Sequence, residues 1–570
     1  MAKSKQVSPA KKILSSPIRK DSFGKESQRK KEPKRSFLLR ISNLILIAAV
    51  LIVYLPTLNL GFTELDDSIF IKETRDYNKD LSNLTTSFHR GVFNATEDVY
   101  YRPLLLDSFI LNYHISGEDI KGWHIVNVLL HLAAVLLLFL LLKKIGMEEL
   151  SAFLLTLIFA VHPILSQAVA WIPGRNDSLL AIFVFSFLIG AIEYTNTRKI
   201  SWLALQCIAL LAALFTKETA VFAAPVAWML VIFLKKRKWF DRTSIMIYTS
   251  WLVDGIIWLI IRSQATLKNS ELQFSDVVKT FPARLPVLIQ YLGKIFLPIN
   301  LNVFPITQDT TYIYGIISVF ILSLIIFLSP KRDWRMIVAG LAIYILLFIP
   351  ALMVPASLND QDFEHRAYMP MFGILIVLSQ TVLLKNNLKQ STLIMSGLAL
   401  CVLLSIINLN HQKNFKSPLA FWTAAQKSSP HSAYATMMLG ERLDSVDHKR
   451  GEQLIRTAYQ MDSSQKYINY YMGVMLQTHD SILPSEKFFK KEMKTSDYYM
   501  CYFHLARVAF EKNDKPAAIQ YLETFLSRAP GDSQANNNLL LLYHDTGQKQ
   551  KEQAQAEKMR QMGLTVPAGF

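Results

Sequence analysis

Eleven apolar runs decide what this chain can become. They occupy residues 38–58, 124–142, 151–171, 179–194, 202–215, 220–234, 245–262, 313–328, 336–354, 369–384 and 392–409. A hydrocarbon core about 30 Å thick is crossed by about 20 helical residues, and a backbone placed in it must satisfy its own polar groups, which continuous runs of this kind do only as α-helices. The chain as a whole is 51% hydrophobic and only 18% charged, too apolar for a soluble multidomain protein. The expected fold is therefore all-α: a polytopic, multi-pass membrane bundle of about eleven spans.

Charge orients the bundle. The formal net charge is +17, but residues 1–40 hold thirteen Lys and Arg against three acids, so most of the excess sits in one tail. A basic tail before a first span reads as a cytoplasmic anchor facing anionic lipid, not as a nucleic-acid surface. Residues 38–58 resemble a retained signal anchor, because the basic preface is long and no small-residue cleavage site follows. With the tail inside, the basic links at 143–144, 195–199, 235–238, 331–332 and 385–389 all fall on the cytoplasmic side. That parity requires the Pro-containing stretch 284–299 to be re-entrant or interfacial. The outer face then receives residues 59–123, 172–178, 216–219, 263–312, 355–368 and everything after 410. Cys207, Cys401 and Cys501 are too few for a disulfide framework and read as small packing groups.

The outer face is also where ionisable residues collect. ELDDSIFI at 64–71 carries Asp66 and Asp67, which either cap a short juxtamembrane helix or do chemistry at the membrane edge. YYRPL at 100–104 carries Arg102. HIVNVLLH places His124, Asn127 and His131 on or near one helix face, and HPILSQAVAWIPGRND carries His162, Gln167, Arg175 and Asp177. Lys217 and Glu218 sit between two apolar runs, and FEHRAYMP at 363–370 carries His365 and Arg366. Charged groups at membrane depth cost about 3 kcal/mol each on insertion scales, unless they face one another or a polar cavity. Each has a structural alternative: Lys217 pairing with Glu218, Arg175 with Asp177, the histidines as satisfied interior groups. Their convergence on one side argues for a site. A divalent metal is chemically admissible among these His, Asp and Glu residues, but no ligand spacing supports one.

After residue 410 the composition becomes soluble. Segments 432–465, 466–497, 498–532 and 533–566 align with a period near the roughly 34 residues of a helix-turn-helix repeat. LARVAF, NDKPAAIQYL and AP in the third follow the tetratricopeptide pattern most closely. Such a solenoid offers a concave face for a polypeptide or serves as a structural lid. The domain plan is a tail at 1–40, a membrane domain at 41–410, a linker at 411–430 and a tetratricopeptide-like domain at 431–570.

The order of these motifs, namely the Asp pair, YRPL, HxxNVLLH, HP…AVAWI-GRxD, the Lys-Glu pair and EHRAYMP followed by helical repeats, resembles GT-C class membrane glycosyltransferases. It is most similar to the transmembrane and tetratricopeptide-repeat-containing O-mannosyltransferases and their bacterial relatives. ILSQ after His162-Pro163 stands where the animal proteins more often have a second His and a Glu, and the His-Arg form of EHRAYMP is the bacterial one. The resemblance implies transfer of a sugar, mannose among the candidates, from a polyprenyl-phosphate carrier to Ser or Thr hydroxyls of proteins on the non-cytoplasmic side. A bacterial inner membrane with a periplasmic repeat domain is the implied setting. Asp66 is the implied catalytic base, with Asp67 second. Arg102, Arg175, Lys217 and Arg366 would meet the lipid phosphate, with His124, His162, Asp177, Glu218 and His365 completing a substrate-binding shell. A glycan or lipid acceptor, and a non-catalytic scaffold with a peptide-binding repeat domain, stay open.

Overall fold

The computed structural model describes residues 41–93, 100–235, 237–265, 274–354, 361–385, 389–568 and 570. The basic tail 1–40, and with it the expected cytoplasmic anchor, lies outside the described residues. Among the described residues every element is helical, apart from one isolated antiparallel bridge between Ile306 and Gln361. The chain is an all-α membrane protein.

All eleven apolar runs form helix, but not all as full-length spans. Six described helices are long and apolar enough to cross a bilayer: Ser42–Asn59, Ile120–Lys144, Ile172–Thr197, Arg242–Ala265, Trp334–Leu352 and Gln390–Phe415. A seventh is bent by 50° between Glu149–Val161 and Pro163–Ala170. Pro163 lacks an N–H and forces His162 into an extended conformation, which ends the first piece. Ile200–Thr216, Glu218–Phe233 and Ile313–Phe327 are shorter apolar helices, and the run 369–384 is helical only over Met371–Leu378. Against the expectation of about eleven spans, six described helices, or seven with the bent pair, are long and apolar enough to cross, and the other runs form shorter helices. Val287–Phe296, within the stretch 284–299, has ten residues, about 15 Å of helix, too short to cross.

Burial separates the inside of the bundle from its lipid face. The window in Ile172–Thr197 is 72% buried, whereas those in Arg242–Ala265 and Gln390–Phe415 are only 22% and 17% buried although as apolar. Leu252, Leu259, Val402 and Ile406 therefore face lipid. Small residues bring inner helices close: a Cβ on Gly373 would meet the Gly340 carbonyl at 2.4 Å, so Trp334–Leu352 and Met371–Leu378 touch backbone to backbone.

Beyond the last long helix, Pro418–Ser428 leads into four helix pairs. These are Ala433–Leu443 with His448–Met461, Ile468–Thr478 with Ile482–Ser496, Met500–Glu511 with Lys515–Arg528, and Ser533–Asp545 with Lys549–Gln561. Asp480, Asn513 and Gly547 occupy the same turn of the last three pairs in the left-handed region, 33 and 34 residues apart, so the repeat is written in the backbone as well as in the side chains. Ser432, Asp447, Asp514 and Asp532 cap their helices through side-chain oxygens. The first pair is fused to the membrane domain: Trp422, Phe421, Met437 and Met472 share one apolar core with Leu60, Trp171, Phe304 and Phe363. The Gly61 N–H donates to the Lys416 carbonyl (2.9 Å), and Glu64 pairs with Arg442.

Candidate functional site

Residues 60–68 cross the end of the first helix and carry the acid pair into the interface between bundle and repeats. Glu64 adopts φ +55°, a conformation that costs a non-glycine residue about 1–2 kcal/mol, and the turn it makes folds Asp67 back on Thr63. One Asp67 oxygen accepts from the Thr63 N–H (2.6 Å) and hydroxyl (3.1 Å), the other from the Ser68 N–H (3.1 Å). Asp67 is 1% exposed and is spent on this turn. Asp66 is different. No hydrogen bond to its carboxyl is seen among the described residues, and that group borders a cavity of about 400 Å³, in the size range of small-molecule sites. Burial, with the neighbouring charge of Asp67, pushes the Asp66 carboxyl up to about 7, with Arg102 pulling the other way.

Besides the Asp66 segment, five parts of the chain bring charged or ionisable side chains to the cavity wall. Arg102 lies immediately before the helix Pro103–Ser116; Asp177 is in the first turn of Arg175–Thr197; Lys217 and Glu218 fill the break after Ile200–Thr216; Arg262 ends Arg242–Ala265; His365 and Arg366 lie in the turn Glu364–Ala367. Four cations thus stand against the three carboxylates Asp66, Asp177 and Glu218. Arg102 Nε donates to Glu218 Oε2 (3.0 Å), and its guanidinium lies over the Tyr100 ring. Asn176 presents its amide oxygen to Arg102 Nη1 (2.9 Å), the orientation in which its nitrogen also finds the Thr216 carbonyl (3.3 Å). Lys217 Nζ pairs with Asp177 Oδ1 at 2.7 Å, not with the adjacent Glu218. Arg366 donates to the Gln361 carbonyl (2.7 Å).

One side of the cavity is aromatic: Trp171, Phe363 and His365 have ring centroids 5.3–6.2 Å apart. Gln167 fixes the imidazole. Its amide nitrogen donates to the Val303 carbonyl (3.0 Å), so its oxygen accepts from the His365 N–H and from Nδ1, both at 3.2 Å. The proton then sits on Nδ1 and Nε2 keeps the lone pair. Burial, together with Lys217, Arg366 and Arg102, holds His365 far below the ordinary imidazole range, so it is neutral. Two buried polar atoms of the wall, Asp177 Oδ2 and Trp171 Nε1, have no hydrogen-bond partner among the described residues.

Four of the candidate residues lie elsewhere: Asp67, in its turn, and three others. Arg175 is fully buried, stacked on Phe109 and Trp123, and donates to Asn127 Oδ1 (2.8 Å), Asn112 Oδ1 (2.8 Å) and the Trp123 carbonyl (3.1 Å). It pins three segments and does not pair with Asp177. His162 donates to the Ile295 carbonyl (2.9 Å) and accepts from the Ile164 N–H (3.2 Å), tying the bent helix to Val287–Phe296. His124 is buried in the helix Ile120–Lys144. His131, on the same helix, bridges Tyr368 (2.7 Å) and the Ala160 carbonyl (3.1 Å). Sequence reasoning passed over Arg262, Trp171 and Glu364. Glu364 is fully buried, with Lys294 at 2.8 Å, the Asn302 N–H at 2.6 Å and His411 at 3.3 Å, and holds the loop bearing His365. Its signal was the first letter of EHRAYMP. For Arg262, a cation closing an apolar run was the only hint.

No family model matches the chain. Relatives do. It is 33% identical over 180 residues to the protein O-mannosyl-transferase Tmtc1 of Drosophila melanogaster, covering 31% of this chain and 21% of that protein. It is 38% identical over 173 residues to the protein O-mannosyl-transferase TMTC2 of Homo sapiens, covering 28% and 20%. The curated homologues of this chain are protein O-mannosyl-transferases. The match to F38B6.6 of Caenorhabditis elegans, 24% identical over 458 residues, extends to 76% of this chain and 64% of that O-mannosyl-transferase. The chain therefore spans about a fifth of the fly and human O-mannosyl-transferases and under two thirds of the nematode one.

Proposed function

We propose that this chain is a protein O-glycosyltransferase that moves a sugar, mannose by analogy with its relatives, from a polyprenyl-phosphate carrier to Ser or Thr hydroxyls on the non-cytoplasmic side. The observation that carries the reading is the composition of the cavity: Asp66, whose carboxyl has no hydrogen-bond partner among the described residues, set among Arg102, Lys217, Arg262 and Arg366. The names of the relatives agree with it.

In this scheme the acceptor hydroxyl attacks the anomeric carbon. Its proton passes to Asp66 as the new C–O bond forms, and the bond from that carbon to the carrier phosphate breaks. A general base near pH 7 is matched to this task, and placement of such a base contributes typically 10²–10⁴-fold. Negative charge grows on the leaving phosphate, and the cations around it supply preorganised stabilisation. Arg102 and Arg366 offer forked donors, while Lys217 offers a point charge. The Trp171 indole N–H and Asp177 Oδ2 are left to bond sugar hydroxyls, with Nε2 of His365 as a further acceptor. Burial of Asp67 in its turn assigns it to shaping the loop that holds Asp66.

The deciding experiment reconstitutes the purified protein with polyprenyl-phosphate sugars and a Ser/Thr-rich acceptor protein, comparing wild type with Asp66→Asn. Transfer of one sugar that vanishes in the variant supports the scheme. Transfer to a glycan or lipid but never to protein would move the acceptor; no transfer from any lipid-linked sugar would leave a scaffold.

A further inference from the structure

We propose that His448, Glu452 and His479 form a divalent-metal site of the zinc class that clips the first repeat to the second. His448 and Glu452 are four apart on the helix His448–Met461 and so share a face. His479 arrives from the following repeat, at the end of Ile468–Thr478. One ligand atom from each of the three lies within 4.8 Å of the others. His448 Nε2 is 3.3 Å from Glu452 Oε1, which is the edge of a tetrahedron drawn at metal–ligand distances of about 2.0–2.1 Å. His479 Nε2 contacts the same oxygen.

The contact with Asp444 settles which nitrogen of His448 faces Glu452. His448 Nδ1 is 2.7 Å from Asp444 Oδ1, so Nδ1 carries the hydrogen and Nε2 is left with the lone pair. That lone pair and the Nε2 of His479 both point at one carboxylate oxygen. A dication placed among the three atoms would meet both ring nitrogens and the carboxylate oxygen at once. Two imidazole nitrogens and a carboxylate oxygen are a borderline donor set that suits Zn²⁺ better than Mg²⁺ or Ca²⁺. Asp444 has the outer-sphere role that usually accompanies a zinc-bound histidine, fixing its tautomer and orientation. His448 and His479 are about half exposed, which leaves the fourth position to water. The bound ion would close a loop between His448 and His479 and stiffen the junction of the first two repeats.

The test uses the full chain in detergent, purified through a histidine-free tag, stripped with chelator and titrated with Zn²⁺ alone. Bound metal is counted by elemental analysis, and Co²⁺ substitution reports geometry through its visible absorption. The expected result is one Zn²⁺ per chain, absent in the His448→Ala/His479→Ala double variant, with Asp444→Ala weakening affinity about 10–100-fold. Glu452→Gln should bind more weakly still. Equal stoichiometry in wild type and double variant, or no zinc retained by the wild type, overturns the proposal. The latter outcome needs no variant to fold.

Discussion

Asp66→Asn separates a catalytic base from a structural cap, because the two roles predict opposite changes in stability. An ordinary Asp loses its proton near 3.8, whereas burial beside Asp67 raises Asp66 to about 7. Between those values the native state holds a proton that the unfolded chain has released, so wild-type stability falls as pH rises, by about 1.4 kcal/mol per pH unit. The loss is complete above pH 7 and amounts to at most about 4 kcal/mol; below about pH 4, where both states are protonated, it disappears. Asparagine carries no charge at any pH. Asp66→Asn should therefore match wild type in thermal unfolding near pH 4 and exceed it at pH 8, while sugar transfer at pH 8 falls by about two or more orders of magnitude. Wild-type turnover should follow the ionised fraction, reaching half its plateau near pH 7 and about a tenth at pH 6. Unfolding midpoints in detergent and initial transfer rates, taken on the same preparations across pH, read both quantities. A variant less stable than wild type at pH 8 would mean that Asp66 holds the loop together, and a fully active variant would remove it from the chemistry.

Asp67→Asn should behave the other way: it keeps one oxygen and turns the other into an NH2, so either the Thr63 or the Ser68 N–H faces a donor, costing about 1–3 kcal/mol of stability with little specific loss of rate. Arg102→Met should keep the fold and raise KM for the lipid-linked donor about 10–100-fold, the loss expected for one charged hydrogen bond, as read in donor titrations. Arg175→Met, by contrast, strands the Asn112 and Asn127 amide oxygens and should lower thermal stability by about 3–5 kcal/mol in unfolding measurements. Deleting residues 498–570 leaves the apolar core behind Trp171 and Phe363 complete, so transfer to a short peptide should persist while transfer to intact protein acceptors drops; equal rates on both would show that the distal repeats play no part in recruitment.

The sequence announced what is written locally. Runs of apolar residues announced the membrane helices, and a period near 34 announced the helix pairs, because helix length and repeat spacing depend on neighbours along the chain. The breaks were harder to read. Pro163 interrupts the run 151–171 that hydropathy alone reads as one span, and that run ends in the wall residue Trp171; the Lys217-Glu218 break, by contrast, was visible between two runs. Which polar residues face the cavity was legible only in part. Arg175 and Arg102 look alike in sequence, each a cation in a polar motif beside an apolar run. Arg175 finds its acceptors 48 and 63 residues away, at Asn127 and Asn112, and no local pattern shows that pairing. Lys217 likewise bypasses adjacent Glu218 for Asp177, 40 residues back, since consecutive residues at the helix end point in different directions.

The struts of this fold are polar groups that tie distant parts of the chain together. Arg175, His131, His162 and Glu364 are buried polar side chains held by other parts of the chain, and removing any one would strand its partners. The cavity wall follows a different rule. Among the described residues Asp177 has one oxygen on Lys217 and the other without a partner, the Trp171 indole N–H has no acceptor, and the Asp66 carboxyl is pushed toward neutrality. A buried donor or acceptor gains about 1–3 kcal/mol when a partner completes it, so these two atoms, Asp177 Oδ2 and Trp171 Nε1, are favourable points for a polar ligand. A sugar phosphate supplies hydroxyls for the acceptor and the donor, and an anion for the cations. In the proposed scheme a Ser or Thr hydroxyl would supply the proton that Asp66, at about 7, is matched to take. In the proposed scheme those same atoms define the complement of the cavity.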